Sequence, residues 1–263
     1  MKPLISIITP AYNSEKFIEK TILSVINQDF TPYEYIIVDG NSTDKTLDIV
    51  NKYKSHIDYL ISEPDKGMYD AINKGIMLAK GDIIAYLNSD DIYLPNALKK
   101  IAGKYEDEKF DLCFGYTKFI GPDDEAKFTH KAINFSPYNV LALKRLPFCQ
   151  QSCFFSRQLY DRLNGFDANL KYVGDTKFFL SAYKLPNLKT IIIKSYLAAF
   201  RLHDDCLSIA QKEMMQNERE LMMKQLAIGR GKDKYSGMLR KVALESILKT
   251  INFQAVIKKY FKQ

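Results

Sequence analysis

Gly81-Asp82-Ile83-Ile84-Ala85-Tyr86-Leu87-Asn88-Ser89-Asp90-Asp91 sets an unbroken apolar run directly before four polar residues. A strand so short, with no alternation along it, has no solvent-facing side; Ile83–Leu87 therefore reads as buried on both faces of a parallel sheet. Working back towards the start, the same grammar repeats. Met68–Ala79 reads as a helix with Ile72, Ile76 and Ala79 inward, and Ile57–Ile61 as a strand. A helix from about Thr43 to Tyr53 follows the strand Glu34–Val38, which closes in Asp39-Gly40-Asn41-Ser42. Before these, Leu4–Thr9 is a strand ending in Pro10-Ala11-Tyr12-Asn13. Ser14 can cap a helix that buries Phe17, Ile18, Ile22, Val25 and Ile26. Beyond Asp91, Pro95 opens another helix. Strand and helix alternate four times, which specifies a doubly wound α/β fold with a mostly parallel sheet.

The remainder is less regular. Leu112–Ile120 and Phe148–Phe155 read as strands, Asp123–Glu125 as an exposed turn and Arg157–Leu163 as a short helix. Gly165-Phe166-Asp167 is a turn before a helix over Asp175–Tyr183; Thr190–Ile193 and Tyr196–Arg201 are two further strands. From Leu207 the pattern turns helical, and Phe253, Val256, Ile257, Tyr260 and Phe261 form one amphipathic stripe. The expected division is a core over 1–205 and a helical, basic extension over 206–263.

Charge supports that division. Lys and Arg number 38 against 31 Asp and Glu, a formal +7. Residues 229–263 hold nine of the basic residues and two of the acidic ones, so 1–228 balance at 29 each. A nucleic-acid binder would line its folded surface with the excess, so a nucleic-acid partner is not expected. The apolar runs are far too short to span a bilayer, and the run after Met1 lacks the core of a signal peptide. Cys113, Cys149, Cys153 and Cys206 form no CxxC pair and no zinc spacing with a histidine. Reduced thiols in a cytoplasmic protein are the expectation.

Ligands of open α/β sheets bind at the carboxyl ends of the strands. Three such ends are unusual here: Thr9–Asn13, Asp39–Ser42 and Asn88–Asp91. Asp39 is suited to accept hydrogen bonds from a base or ribose, or it closes the turn and caps the next helix. Asn88-Ser89-Asp90-Asp91 offers several oxygens whose mutual repulsion a Mg²⁺ or Mn²⁺ ion bridging to phosphates would relieve; the other reading is a solvated turn. No GxxxxGK[ST] loop, GxGxxG turn, HExxH helix or GxSxG elbow occurs.

Taken together, Ser6–Asn13 (SIITPAYN), Glu34–Asp44 (EYIIVDGNSTD), Asp65–Ala79 (DKGMYDAINKGIMLA) and Gly81–Asp91 resemble family 2 glycosyltransferases in order and spacing. The likeness continues through Gln151–Arg157, Gly165-Phe166-Asp167 and Ala198–Arg201, about the first 205 residues. Within the family it is most similar to bacterial enzymes building O-antigen, capsule and other surface polysaccharides. The resemblance implies a GT-A fold, a UDP-, GDP- or dTDP-sugar donor, a Mn²⁺ or Mg²⁺ ion and inversion at the anomeric carbon. It implies donor contacts from Pro10, Tyr12, Asp39, Asp65, Lys66, Asp70, Asn88 and Ser89. Asn88 and Asp90 stand at the ends of the family's D-x-D motif, with Asp90 the principal metal ligand, Asp91 a second carboxylate and His203 a late residue completing the metal or diphosphate site; the other reading of His203 is a lone surface histidine. It further implies Asp175 as catalytic base, in Tyr172-Val173-Gly174-Asp175, where Gly replaces the first acid of the usual pair; the other reading of Asp175 is a helix cap. Gln150-Gln151 likewise stands where many relatives have His-Gln. Two other classes share features of this pattern: a sugar nucleotidylyltransferase, whose Gly-rich basic loop is missing after the first strand, and a non-catalytic sugar-binding module.

The acceptor implied is a glycan or lipid-linked glycan. The basic tail then suits an anionic inner membrane surface, or packs its stripe on the body or a second subunit.

Overall fold

The computed structural model describes residues 2–226, apart from the side chain of Ser208. The apolar stripe at Phe253–Phe261 and the basic excess of 229–263 lie outside the described residues.

The apolar runs of the first half become strands, most of them interior. β1 (Ile5–Ala11) and β2 (Tyr33–Asp39) are buried along almost their whole length, as is β4 (Ile83–Tyr86), while β3 (Tyr59–Ser62) forms a half-exposed edge. Between them run α1 (Ile18–Ile26), α2 (Thr46–Lys52) and α3 (Met68–Leu78). α1 buries Ile18, Ile22 and Val25, and α3 buries Tyr69, Ile72 and Ile76, the inward faces that their spacing requires. β3, β2, β1 and β4 lie side by side, all parallel.

β5 (Ile92–Tyr93) and α4 (Ala97–Asp107) complete this half. The second half adds β6 (Leu112–Ile120), β7 (Ala126–His130), α5 (Pro137–Leu143), β8 (Cys153–Ser156), α6 (Arg157–Arg162), α7 (Gly174–Ala182) and β9 (Thr190–Arg201). Sheet order is β3-β2-β1-β4-β8-β6-β9-β5, with β7 paired to β6. β8 runs antiparallel to both β4 and β6, so the sheet is mixed where the second half joins the first, whereas β6 and β9 are parallel.

Three local expectations differ from what forms. The run at Phe148–Phe155 is a 3₁₀ turn over Gln150–Ser152 before the strand begins at Cys153. Thr190–Ile193 and Tyr196–Arg201 are one strand, because β6 shifts register around Gly115–Thr117 and absorbs the polar Lys194-Ser195 break. α5 was not anticipated; Ser136 caps it by accepting Asn139 N–H at 3.3 Å, with Pro137 in its first turn. After β9 come α8 (Leu207–Ala210) and α9 (Lys212–Gln225), in the same compact unit as the sheet, which ends at Leu226.

Candidate active site

The three unusual strand ends meet at one edge of the sheet. Ala11 pairs with Asp39, so β1 and β2 finish level. From there Asn13 N donates to Ser42 Oγ at 2.9 Å, and Thr43 N donates to Asn13 Oδ1 at 2.9 Å. Ser14 and Ser89 share a 2.7 Å hydroxyl–hydroxyl bond that ties the β1 end to the loop after β4.

Asp39 is fully buried, yet its carboxylate is well supplied: Ser42 N donates at 3.0 Å, Ser62 Oγ at 2.8 Å, and Ser42 Oγ donates as well. A carboxylate has about four acceptor sites, so these bonds fix its orientation and leave it capacity for another donor. Pro10 is buried in β1 beside it, whereas Tyr12 projects with 64% of its surface exposed. Asp65 crosses over the same loop so closely that a Cβ on Gly40 would lie 2.6 Å from its Oδ2. Asp65 in turn accepts Gly67 N–H at 2.8 Å. Asp70 accepts Lys66 N–H at 3.1 Å and pairs with Lys74 at 3.5 Å, while the Lys66 side chain is exposed.

The loop after β4 divides its two acids. His203 Nε2 and Asp90 Oδ2 are 2.9 Å apart, both partly exposed. Ligands in adjacent positions around a Mg²⁺ or Mn²⁺ ion, each about 2.1 Å from it, stand about 3 Å apart; the pair therefore fits a cation in place of the shared proton. Asn88 Oδ1 and His203 Nδ1 are buried without a protein partner. Among the described residues no three His, Cys, Asp or Glu are grouped to hold an ion unaided. Further ligands would have to come from Asn88, substrate phosphate and water.

Asp91, expected beside Asp90 at the ion, points the other way. It is fully buried; its Oδ1 accepts Arg201 N–H at 3.0 Å and its Oδ2 accepts from Asn88 Nδ2 at 3.3 Å. Burial first, and then the charge of Asp90, push its carboxyl well above the usual aspartate range. It is a structural residue of the loop, not an exposed ligand, because consecutive side chains in this turn leave in opposite directions.

Arg201, the charged end of an apolar strand, organises this loop. It is wholly buried, donating from Nε to Asp90 O at 2.9 Å and from Nη1 to Gly121 O and Pro122 O at 3.1 and 3.0 Å. Its guanidinium also pairs with Asp124 and lies over the Phe17 ring, which packs against His203 at 4.7 Å. A buried arginine closing the run Tyr196–Arg201 was the sequence signal for this role.

Asp175 lies in the first turn of α7. Its Oδ1 accepts Thr176 N–H at 2.6 Å and Tyr69 O–H at 3.2 Å. Burial raises its carboxyl above the ordinary value, opposed by these two hydrogen bonds and by the charge of Arg219. Tyr69 belongs to α3, and its ring stacks on Phe166, which meets Tyr86 of β4 edge-on. Asp175 is thus braced from the same sheet end that carries Asn88 and Asp90. The glycine before it has a steric cause: a Cβ on Gly174 would lie 2.7 Å from the Tyr69 ring. On the far side, Glu218 of α9 accepts the backbone N–H groups of Lys171, Tyr172 and Val173 at 2.8, 2.7 and 3.0 Å. Nothing in the spacing of the sequence marks Glu218, since the loop it holds is distant along the chain.

The model of glycosyl transferase family 2 matches residues 6–163. A PGL/p-HBAD biosynthesis glycosyltransferase of Mycobacterium tuberculosis is 30% identical over 207 residues, 74% of this chain and 77% of the relative. The chain belongs to glycosyl transferase family 2. A chondroitin synthase of Escherichia coli is 29% identical over 89% of this chain and 34% of its own length. Two solved structures share the fold. S. aureus TarS 1-349 in complex with UDP-GlcNAc has a TM-score of 0.65 at 20% identity, covering 88% of this chain and 68% of that one. The mannosyltransferase PcManGT from Pyrobaculum calidifontis, in complex with GDP-Man and Mn²⁺, has a TM-score of 0.59 at 15% identity, covering 99% and 85%. The mixed sheet with flanking helices is therefore a GT-A fold, as the resemblance to the family implies. No helix among the described residues is long and apolar enough to cross a membrane.

Proposed function

We propose that this family 2 glycosyltransferase transfers a sugar from a UDP-, GDP- or dTDP-linked donor to a hydroxyl of a glycan or lipid-linked glycan in bacterial surface polysaccharide assembly, inverting the anomeric carbon. The observation that carries the reading is the braced Asp175 carboxylate, held through Tyr69 and Phe166 to the strand end that presents Asp90.

Asp39 orients the nucleoside, with Pro10 and Tyr12 against it and Asp65, Lys66 and Asp70 beside it. Asn88 and Ser89 reach towards ribose and phosphate. Asp90 and His203 would hold a Mn²⁺ or Mg²⁺ ion, which when bound supplies Lewis-acid stabilisation of the leaving diphosphate. Asp175 Oδ accepts the proton of the acceptor hydroxyl as its oxygen attacks the anomeric carbon. Attack opposite the diphosphate makes this one displacement, hence inversion. A carboxylate with a raised pKa is a stronger base than a free aspartate, which favours that role. The basic excess of residues 229–263 suits an acceptor anchored in an anionic membrane.

The test is calorimetry with UDP-, GDP- and dTDP-sugars, with and without Mn²⁺, beside nucleotide release. One donor class should bind with metal-dependent affinity and be slowly hydrolysed. Asp90→Ala should remove the metal dependence. Equal affinity in the variant and the parent, with and without Mn²⁺, would overturn the assignment of Asp90.

A further inference from the structure

Around Asp175 the balance of charge is not neutral. α5 ends at Lys144, whose φ of 53° turns the chain sharply into Arg145. Arg219 of α9 donates from Nη2 to the carbonyl of Lys144, which fixes its guanidinium beside the start of Arg145. The preceding residue, Glu218, grips the loop Lys171–Val173. Two consecutive residues of one helix therefore hold the end of α5 and the approach to Asp175 together.

This brings the chain at Lys144, Arg145 and Lys171 together with Arg219, next to the helix start that carries Asp175. None of the four is in an ion pair among the described residues. Of the two nearby acids, Glu218 spends both oxygens on three backbone donors, and Asp175 accepts from Tyr69 and Thr176 on Oδ1. Arg219 is half-buried, and burial followed by the charge of Arg145 lowers its pKa against the opposing charge of Asp175, so the two guanidiniums repel each other while one carboxylate attracts Arg219. Two neighbouring guanidiniums, one of them half-desolvated, face the single carboxylate of Asp175, and the excess positive charge is costly to keep unless a second anion joins them. Arginine forks match the two oxygens of a carboxylate or phosphate.

We propose that Arg145 and Arg219 form an anion subsite beside Asp175, which takes a carboxylate or phosphate carried by the acceptor near its reacting hydroxyl. The proposal rests on the reading of Asp175 as the base that faces the acceptor. Acceptors with a uronate or a phosphodiester would then be placed by charge, and neutral ones left unanchored.

Amide NMR of the full chain in 0.15 M NaCl tests it, with glucuronate, glycerol 3-phosphate and glucose as separate titrants. Glucuronate or glycerol 3-phosphate should shift the amides of residues 144–145, 173–175 and 219 saturably, and glucose should not. Whichever anion binds more tightly identifies the source as uronate or phosphate. In Arg145→Gln, an exposed position, affinity should fall by about tenfold to a hundredfold, and Arg145→Lys should restore part of it. Absence of saturable shifts with both anions, or equal affinity in Arg145→Gln, overturns the subsite. Nucleotide release from donor sugars is followed on the same samples. Turnover without anion binding sinks the subsite alone, whereas anion binding without turnover of any donor upholds it and sinks the transferase reading.

Discussion

Oε2 of Glu218 lies 3.0 Å from the backbone N of Val173, the residue that leads into the helix carrying Asp175. The same oxygen takes Tyr172 N–H and the other takes Lys171 N–H. Hydrogen bonds to a charged group contribute about 1.5–3 kcal/mol each when an unpaired partner would otherwise be buried. Glu218→Ala should therefore lower kcat by tenfold or more with the KM for donor nearly unchanged, because the loop moves the base and not the nucleotide site. Glu218→Gln should recover part of the loss, since one amide oxygen still accepts. An equal rise in donor KM would show that α9 serves the whole fold and does not position the base.

Asp175 makes the reaction pH-dependent in a defined direction. Its carboxyl titrates above the ordinary aspartate value of about 4, mainly because it is buried. The protonated form cannot accept a proton, so kcat/KM should rise with pH through that raised value, and the acid limb should sit above pH 4. Tyr69→Phe removes one hydrogen bond to the charged form and should move the limb higher still. Asp175→Asn should abolish turnover and leave donor affinity within about twofold. A limb unmoved in Tyr69→Phe would separate the observed ionisation from Asp175.

Gly174→Ala asks whether the missing acid is tolerable at that position. The added methyl would stand 2.7 Å from the Tyr69 ring, which is itself fully packed between Asp175 and Phe166. Overpacking of this kind costs about 1–3 kcal/mol. The variant should melt several degrees lower and lose activity in greater proportion than stability. In a Tyr69→Leu background, which opens the space, Gly174→Ala should lower the melting point by less than it does in the parent. Stability unchanged by Gly174→Ala would remove the steric account of the glycine.

How far the sequence foretold this arrangement depends on the range of the interaction. β1, β2 and β4 are legible because burial on both faces leaves runs that are apolar almost throughout, and β6 because its opening stretch, Leu112–Phe114, is such a run. β7 is not, since Ala126–His130 carries polar residues and pairs only along one edge. Asp39 and Asp90 stand at strand ends, where local order alone suggests a ligand. Glu218 and Arg219 gain their roles from partners far along the chain, which no spacing rule reaches. Asp91 misled for the opposite reason: two adjacent carboxylates resemble a metal site, but the turn sends one of them into the core.

That inward turn of Asp91 gives the fold its own pH signature. The folded-state pKa lies well above the unfolded value of about 4, raised by burial and by the charge of Asp90. Between those two values the native state holds a proton that the unfolded chain has released. Stability from this group is then fully present below the unfolded pKa and declines as pH rises towards the folded one, at about 1.4 kcal/mol per pH unit where the difference is a whole proton. Asp91→Asn carries a group that cannot ionise, so urea denaturation from pH 4 upwards should show a smaller decline than in the parent. Arg201 N–H retains an oxygen acceptor in that variant, which keeps the loop closed during the comparison. Parallel curves for the two proteins would mean that Asp91 is ionised in the fold and that Arg201 and Asn88 carry more of its charge than its burial removes.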